Sequence, residues 1–474
     1  MRKPTLIAIG AALLGGVAPA AMAQTAAVEA VPGDTQAVTM QEAISVAMQS
    51  NPEILQAQFN KEAIEFEREQ AQGLYYPRVD IEASAGVRRL ENNTRRTLGI
   101  ASDELYPLEA GITGEWTVLD FGRRRGELLR QAARVDGASL RVVERSEFVA
   151  LQVARQYLDV LLQQRVAAVS QDNAAFHRSL VADLGQGVEQ GSISIADRQQ
   201  AEERLQASLV QQEEALQGLQ NAFITLRRLT GLDVTGATMP PNLASAMPPG
   251  LETAVGQARL RNPLVREAQA DVDAANALVK SAEGDYWPTV GLEVRGRVGE
   301  DIDGFAGETN DIQGRVVMRW NIFDGGIKYA RAQETIRQAS VARYALHDRQ
   351  RQAEEDVRLA WQALETQGRV VQALDRQSQV SDDLLLSYRS QFNVGRRSLL
   401  DVLDAQNTRY NTQVRLETAR FSQLFAQYQT LAATNNFLDA LQIAPGAGAG
   451  AAERERFDFG PPVPAELQRR VEPG

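Results

Sequence analysis

Arg397, Asp401 and Asp404 follow the turn Val394-Gly395-Arg396 at spacing i, i+4, i+7. In a helix that spacing puts one cation and two carboxylates on one face, while Leu400, Val402 and Leu403 fall mostly on the other side. Two readings fit these residue types. The structural one is capping: Ser398-x-x-Asp401 is a capping-box-like start, with Asp401 near the positive end of the helix dipole. Ser194-Ile195-Ala196-Asp197 makes the same pattern 204 residues earlier. The functional one is a charged face at the start of a long helix. Capping accounts for Asp197 and Asp401 but leaves Asp404 unexplained, because its earlier counterpart is Gln200. The pair is therefore read as a functional face.

Other chemistry finds no carrier. Cys is absent, which removes disulfides and thiol reactions. The two histidines, His177 and His347, sit in long-helix segments without metal-like partner spacing. No Gly-rich phosphate loop, nucleophile elbow or HExxH run occurs. Neither catalysis nor a cofactor is expected.

The elements that must position the charged face come next. Met1-Arg2-Lys3, the apolar run Leu6 to Val17 and Ala21-Met22-Ala23 read as a secretory signal (residues 1–23) cut after Ala23. Gln24 follows the cut, so no lipid is expected on an N-terminal cysteine. The formal charge is -11, and losing Arg2 and Lys3 leaves -13. An acidic chain argues against nucleic acid as a partner. No run of eighteen apolar residues offers a transmembrane helix, so only a β-barrel could cross a bilayer.

The chain is internally duplicated. Ala43-x3-Ala47-x3-Asn51-Pro52 returns as Ala254-x3-Ala258-x3-Asn262-Pro263, and Tyr75-Tyr76-Pro77 as Tyr286-Trp287-Pro288, both at an offset of 211. Asp120-Phe121-Gly122 returns as Asp324-Gly325-Gly326 at 204, as do Gly191 and Asp197 with Gly395 and Asp401. The single change of offset falls between the Pro and Asp landmarks, where a loop absorbs seven residues at little cost. The expected division is a linker at 24–37, a first repeat at 38–235, a linker at 236–251, a second repeat at 252–444 and a disordered tail at 445–474.

Each repeat opens with a helix broken at Asn-Pro. The period then changes to two. Val79 to Val87, Leu108 to Val118, Val290 to Val298 and Ile312 to Ile322 alternate apolar with polar residues. Strands of about ten residues span a bilayer when tilted. Trp116, Trp287, Trp320, Tyr75, Tyr76 and Tyr286 lie in or beside them, as an aromatic girdle does. Four strands cannot close a barrel, and open edges are not tolerated in lipid. Several copies must pool their strands, and three copies give twelve.

Long Pro-free helices follow, from about Arg124 to Val188 and back from Ile193 to about Leu229, with turns at Gly191 and Gly395. About 65 residues at ~1.5 Å each make a rod near 100 Å, and such a rod needs partner helices. Four long rods per chain are expected, twelve in a trimer. The fold class is thus mainly α with a transmembrane β-barrel contribution, built from a duplicated strand–strand–long-helix unit.

The signal peptide, the duplicated unit and the run Val394-Gly395-x-Arg397-Ser398-Leu399-x-Asp401-Val402-Leu403-Asp404 resemble the TolC family of outer-membrane efflux and secretion channels. The resemblance covers about Val38 to Ala444, and the motif looks most like the type I secretion branch. It implies a homotrimer with a twelve-strand barrel in outer-membrane lipid and a helical tunnel across the periplasm of a Gram-negative cell. A periplasmic adaptor and an inner-membrane ABC or proton-driven transporter are the implied partners. Asp401 and Asp404 would line the tunnel's constriction, and Arg397 would hold it shut with Asp197. Six carboxylates in one ring raise each other's pKa and concentrate cations. Phe392 stands where some relatives have a tyrosine bonded to the Asp197 position; it lacks that hydroxyl, so a weaker latch is expected. The implied function is an exit duct for secreted proteins or small molecules. Multidrug efflux is the alternative within the class, and a soluble periplasmic coiled-coil scaffold is the alternative outside it.

Overall fold

The computed structural model describes residues 37–450, together with 463, 464 and 467. The expected signal peptide, its cut after Ala23 and the chain up to 36 lie outside the described residues. The elements run β1 (Ala37–Val38), α1 (Met40–Ser50), α2 (Pro52–Gly73), β2 (Arg78–Ala85), β3 (Arg88–Arg89), α3 (Asn93–Thr97), β4 (Glu104–Leu105), β5 (Leu108–Leu119), α4 (Arg123–Glu189) and α5 (Ile195–Thr230). Then follow β6 (Gly236–Ala237), α6 (Leu251–Arg261), α7 (Pro263–Gly284), β7 (Thr289–Glu300), β8 (Glu308–Arg319), α8 (Ile327–Asn393), α9 (Leu399–Ala433) and α10 (Phe437–Leu441).

Asn51 and Asn262 explain the paired Asn-Pro landmarks. Each side-chain oxygen accepts the backbone N–H two residues on, from Glu53 at 3.0 Å and Leu264 at 2.9 Å. Each following Pro occupies the first helical position, where it has no N–H to leave unsatisfied. Asp120 and Asp324 serve the strand-to-helix corners. Asp120 accepts the Arg124 N–H at 2.9 Å, and Asp324 accepts those of Gly326 and Lys328, both at 3.1 Å. Gly122 and Gly326 take φ of 95° and 89° there, a backbone state that favours glycine.

The long strands form one antiparallel sheet in the order β2-β5-β7-β8. Register puts Ile81 opposite Ile112 and Val290 opposite Met318 on one face. Arg78 lies opposite Glu115, Glu293 opposite Arg315 and Arg297 opposite Asp311 on the other. The apolar face is bare, with Ile81, Ile112 and Val316 exposed. The polar face is laced by ion pairs: Glu293 with Arg315 and Arg319, and Arg297 with Asp311 at 3.2 Å. Strands β2 and β8 are open edges within the chain. The last strand begins at Glu308 and ends at Arg319, earlier than its alternation suggests, and Trp320 just beyond it donates its Nε1 N–H to the Tyr286 carbonyl at 3.1 Å. Among the described residues no helix is long and apolar enough to cross a membrane.

The expectation of four long rods is corrected. Only α4 and α8, at 67 residues each, run the full length; α5 and α9 have 36 and 35. Beside the sheet their places are taken by α2 and α7, of 22 residues each. Helix α4 packs on α2 and α7 at one end and on α5 and α9 at the other, and α8 packs on α7 and α9. Gly231, at φ 75°, stops α5 in a left-handed cap.

The core sits at mid-length. Ile44, Val153, Tyr157, Leu226, Tyr428 and Phe437 share one buried cluster. The Tyr157 hydroxyl lies 2.8 Å from the carbonyls of both Val38 and Thr238. Those carbonyls lie in or beside the parallel pair β1–β6, so the expected linker at 236–251 contributes a strand that pairs with the start of the first repeat. The chain at 445–450 also departs from the expected disorder. Gly446 is buried and donates its N–H to Ser146 Oγ at 3.0 Å.

Candidate functional site

The two helical hairpins turn by the same device. Gly191 and Gly395 take φ of 75° and 72°. Around the first, Ser192 N–H reaches the Gly187 carbonyl and Gly191 N–H that of Val188, both at 2.9 Å. Around the second, Arg396 N–H reaches Gln391 and Gly395 N–H reaches Phe392, both at 2.9 Å. Each is a Schellman closure, which satisfies the last carbonyls while reversing the chain. Ser194 and Ser398 then start α5 and α9, accepting the N–H groups of Asp197 at 3.0 Å and Asp401 at 3.3 Å.

Each serine hydroxyl in turn donates to the same aspartate's carboxylate at 2.7 Å. Asp401 thereby serves as a cap as well as part of a charged face. The Ser398 hydroxyl, then its backbone N–H and the Arg397 charge hold the Asp401 carboxyl below the usual carboxylate range. Asp404 is exposed and makes no hydrogen bond or ion pair with the described residues. On the next turn of the same helix it is a bare acid at the tip.

Arg397 does not meet Asp197 within a chain. Its guanidinium approaches Asp401 at 3.8 Å and lies 4.1 Å over the Tyr388 ring. Its Nε is buried without a partner. Tyr388 was not singled out from sequence, although it sits one helical turn before Phe392 and shares its face. Phe392 is half-buried and packs between two apolar clusters, one with Leu180, Leu399 and Leu403 and one with Leu385 and Val402. These clusters join α4, α8 and α9 immediately above the turns. His177 is buried higher on α4, and burial with the nearby Arg204 charge lowers its pKa.

The sheet with one bare and one ion-paired face, set on helices that run to paired charged tips, defines an outer-membrane channel protein of the tunnel type. The outer membrane efflux protein family matches residues 43–232 and 254–436, and the chain belongs to that family. The two matched segments correspond to the two repeats. The outer membrane efflux protein BepC of Brucella suis is 26% identical over 285 residues, 60% of this chain and 62% of its own length. The outer membrane protein TolC of Escherichia coli is 22% identical over 413 residues, 83% of this chain and 81% of its own. A membrane protein of known structure from Pseudomonas aeruginosa superposes with a TM-score of 0.73 at 20% identity, over 87% of this chain and 91% of its own. Membership of that family places the chain in the outer membrane, extending into the periplasm.

Proposed function

We propose that three copies form the exit duct of a tripartite export system. The observation that carries this reading is the four-stranded sheet: both edges are open, one face is apolar and bare, and the other is ion-paired. In lipid those edges must pair, and β8 of one copy meeting β2 of the next closes twelve strands with the ion pairs inside. The half-length helices stacked beside α4 and α8 then complete a twelve-stave shaft. An inner-membrane transporter and a periplasmic adaptor supply the opening force. The turn motif favours secreted proteins of type I systems as cargo, with small molecules as the alternative.

At the closed end, Asp401 and Asp404 of three copies form the constriction, and Arg397 of one copy latches to Asp197 of another. Phe392 stiffens each tip by packing rather than by hydrogen bonding. Exposed latch pairs contribute at most about 1 kcal/mol each, within reach of a docking partner. Planar-bilayer recordings test this. Replacing both Asp401 and Asp404 with Ala should abolish cation preference, and an unchanged reversal potential overturns the constriction assignment. Arg397→Ser should raise single-channel conductance; unaltered conductance removes Arg397 from the latch.

A further inference from the structure

Glu283, Tyr286, Trp287 and Trp320 line an open cavity of about 490 Å³ at the foot of β7 and β8. Two of its rings are held in place. Trp320 is anchored through its Nε1 bond to the Tyr286 carbonyl, and Trp287 is stacked on Phe121 with centroids 5.5 Å apart. All three rings are 41–56% exposed. The Glu283 carboxylate stands at the rim, touched by Lys280 Nζ at 3.2 Å. Aromatic faces beside one carboxylate are the chemistry of an ammonium cage.

The first repeat holds the equivalent box, and there a cation fills it. Trp116 Nε1 donates to the Tyr75 carbonyl at 2.9 Å, matching Trp320 and Tyr286. The Arg124 guanidinium lies 4.7 Å over the Tyr75 ring, and donates to the Thr117 carbonyl at 2.7 Å and the Asp120 carboxylate at 2.8 Å. In the second repeat Arg124 becomes Lys328. Its single ammonium takes the equivalent carbonyl, that of Asn321, at 2.6 Å, and has no second arm to lay over Tyr286. The first repeat's Gln72 becomes Glu283, so the second box gains a carboxylate, touched by Lys280 at its rim, where the guanidinium over the tyrosine ring is lost.

We propose that this second box binds the ammonium headgroup of a phospholipid. Position selects a lipid over a free cation. Trp320 follows Met318 and Val316 at the two-residue period of the exposed apolar face, so a headgroup in the box lays its acyl chains along that face. The inference rests on that face meeting lipid, as the channel reading requires.

The test is a tryptophan-fluorescence titration of the purified full chain in detergent. The probes are short-chain phosphatidylcholine, phosphatidylethanolamine and phosphatidylglycerol below their micellar concentrations, with tetramethylammonium chloride as the free headgroup. Saturable binding is expected for the first two, about tenfold tighter than for phosphatidylglycerol. Glu283→Gln should weaken it about fivefold. Lys328→Arg, which restores the first repeat's guanidinium, should abolish it. Equal response to phosphatidylglycerol means ordinary annular lipid and overturns the proposal. So does tetramethylammonium binding as tightly as the lipids, which makes the box a free-cation site. Absence of any saturable response, with a neighbouring copy's side chain in the box, overturns it too. Bilayer conductance should be the same in both variants and the parent, so failure of the lipid site and failure of the channel reading are separate results.

Discussion

Helices α4 and α8 have the same length and the same place in their repeats, yet they live in different surroundings. Helix α4 buries side chains along most of its course, among them Leu129, Val149, Tyr157 and Leu180. Helix α8 buries mainly small ones such as Ala339 and Ala353, and leaves Val341, Leu359, Val380 and Leu386 exposed. Within one copy, α4 is the axis on which α2, α5, α7 and α9 all pack, whereas α8 lies at the margin. A duplicated unit thus diverged into a core half and a half that offers its apolar residues outward. The same divergence recurs at the strand-to-helix corner, where Arg124 is sealed in and Lys328 is not.

Three pairs of substitutions sharpen that contrast. The largest effect is expected at Arg124. Its removal leaves the buried Asp120 carboxylate without its cation, and Arg124→Ala should cost about 3–5 kcal/mol. The equivalent Lys328→Ala loses one exposed hydrogen bond and should cost about 1 kcal/mol. Apparent Tm values of the two variants in detergent check this, and equal shifts would break the core-and-margin distinction.

Gly126 comes next. A Cβ there would lie 2.5 Å from the Ser281 backbone nitrogen, where α4 meets α7, so Gly126→Ala should destabilise by about 1–3 kcal/mol. Its counterpart Ala330 is exposed on α8, and Ala330→Val should change thermal stability by less than about 0.5 kcal/mol.

The third contrast is a pH slope. Burial pushes the Glu147 carboxyl up to about 8, with Asp439 adding to the rise and the Leu438 N–H opposing it. The folded protein then keeps a proton that the unfolded chain releases, so stability falls as pH rises from the ordinary carboxylate range to about 8. Glu147→Gln should flatten that part of a Tm-versus-pH curve. The corresponding Arg351 is exposed, and Arg351→Gln should leave the slope as it was. An identical slope in Glu147→Gln would remove Glu147 as its source.

The candidate tip was legible because its signals are local. Gly191, Gly395 and the Ser-x-x-Asp pairs act within single short turns of the chain, so their types and spacing announce the turns and caps. Tyr388 was missed because its role depends on a guanidinium arriving from beyond the turn. The stacking of Arg397 over it is a property of the folded hairpin alone.

Alternation, heptad-like spacing and the duplicated landmarks determined from sequence that the chain has four long strands, long helices and two related halves, since each pattern reflects which face of one element leaves water. The bounds read for α5, Ile193 to about Leu229, agree with its Ile195–Thr230, but α5 and α9 end at Gly231 and Thr434 and so are half-length staves, not full rods. Only the tertiary structure decided that α2 and α7 take over as staves, and that β1 and β6 bring the two ends of the first repeat together. It also decided that one aromatic box is filled while its duplicate stands open. Each of these is set by what a distant segment brings to the same place, and no local period carries that information.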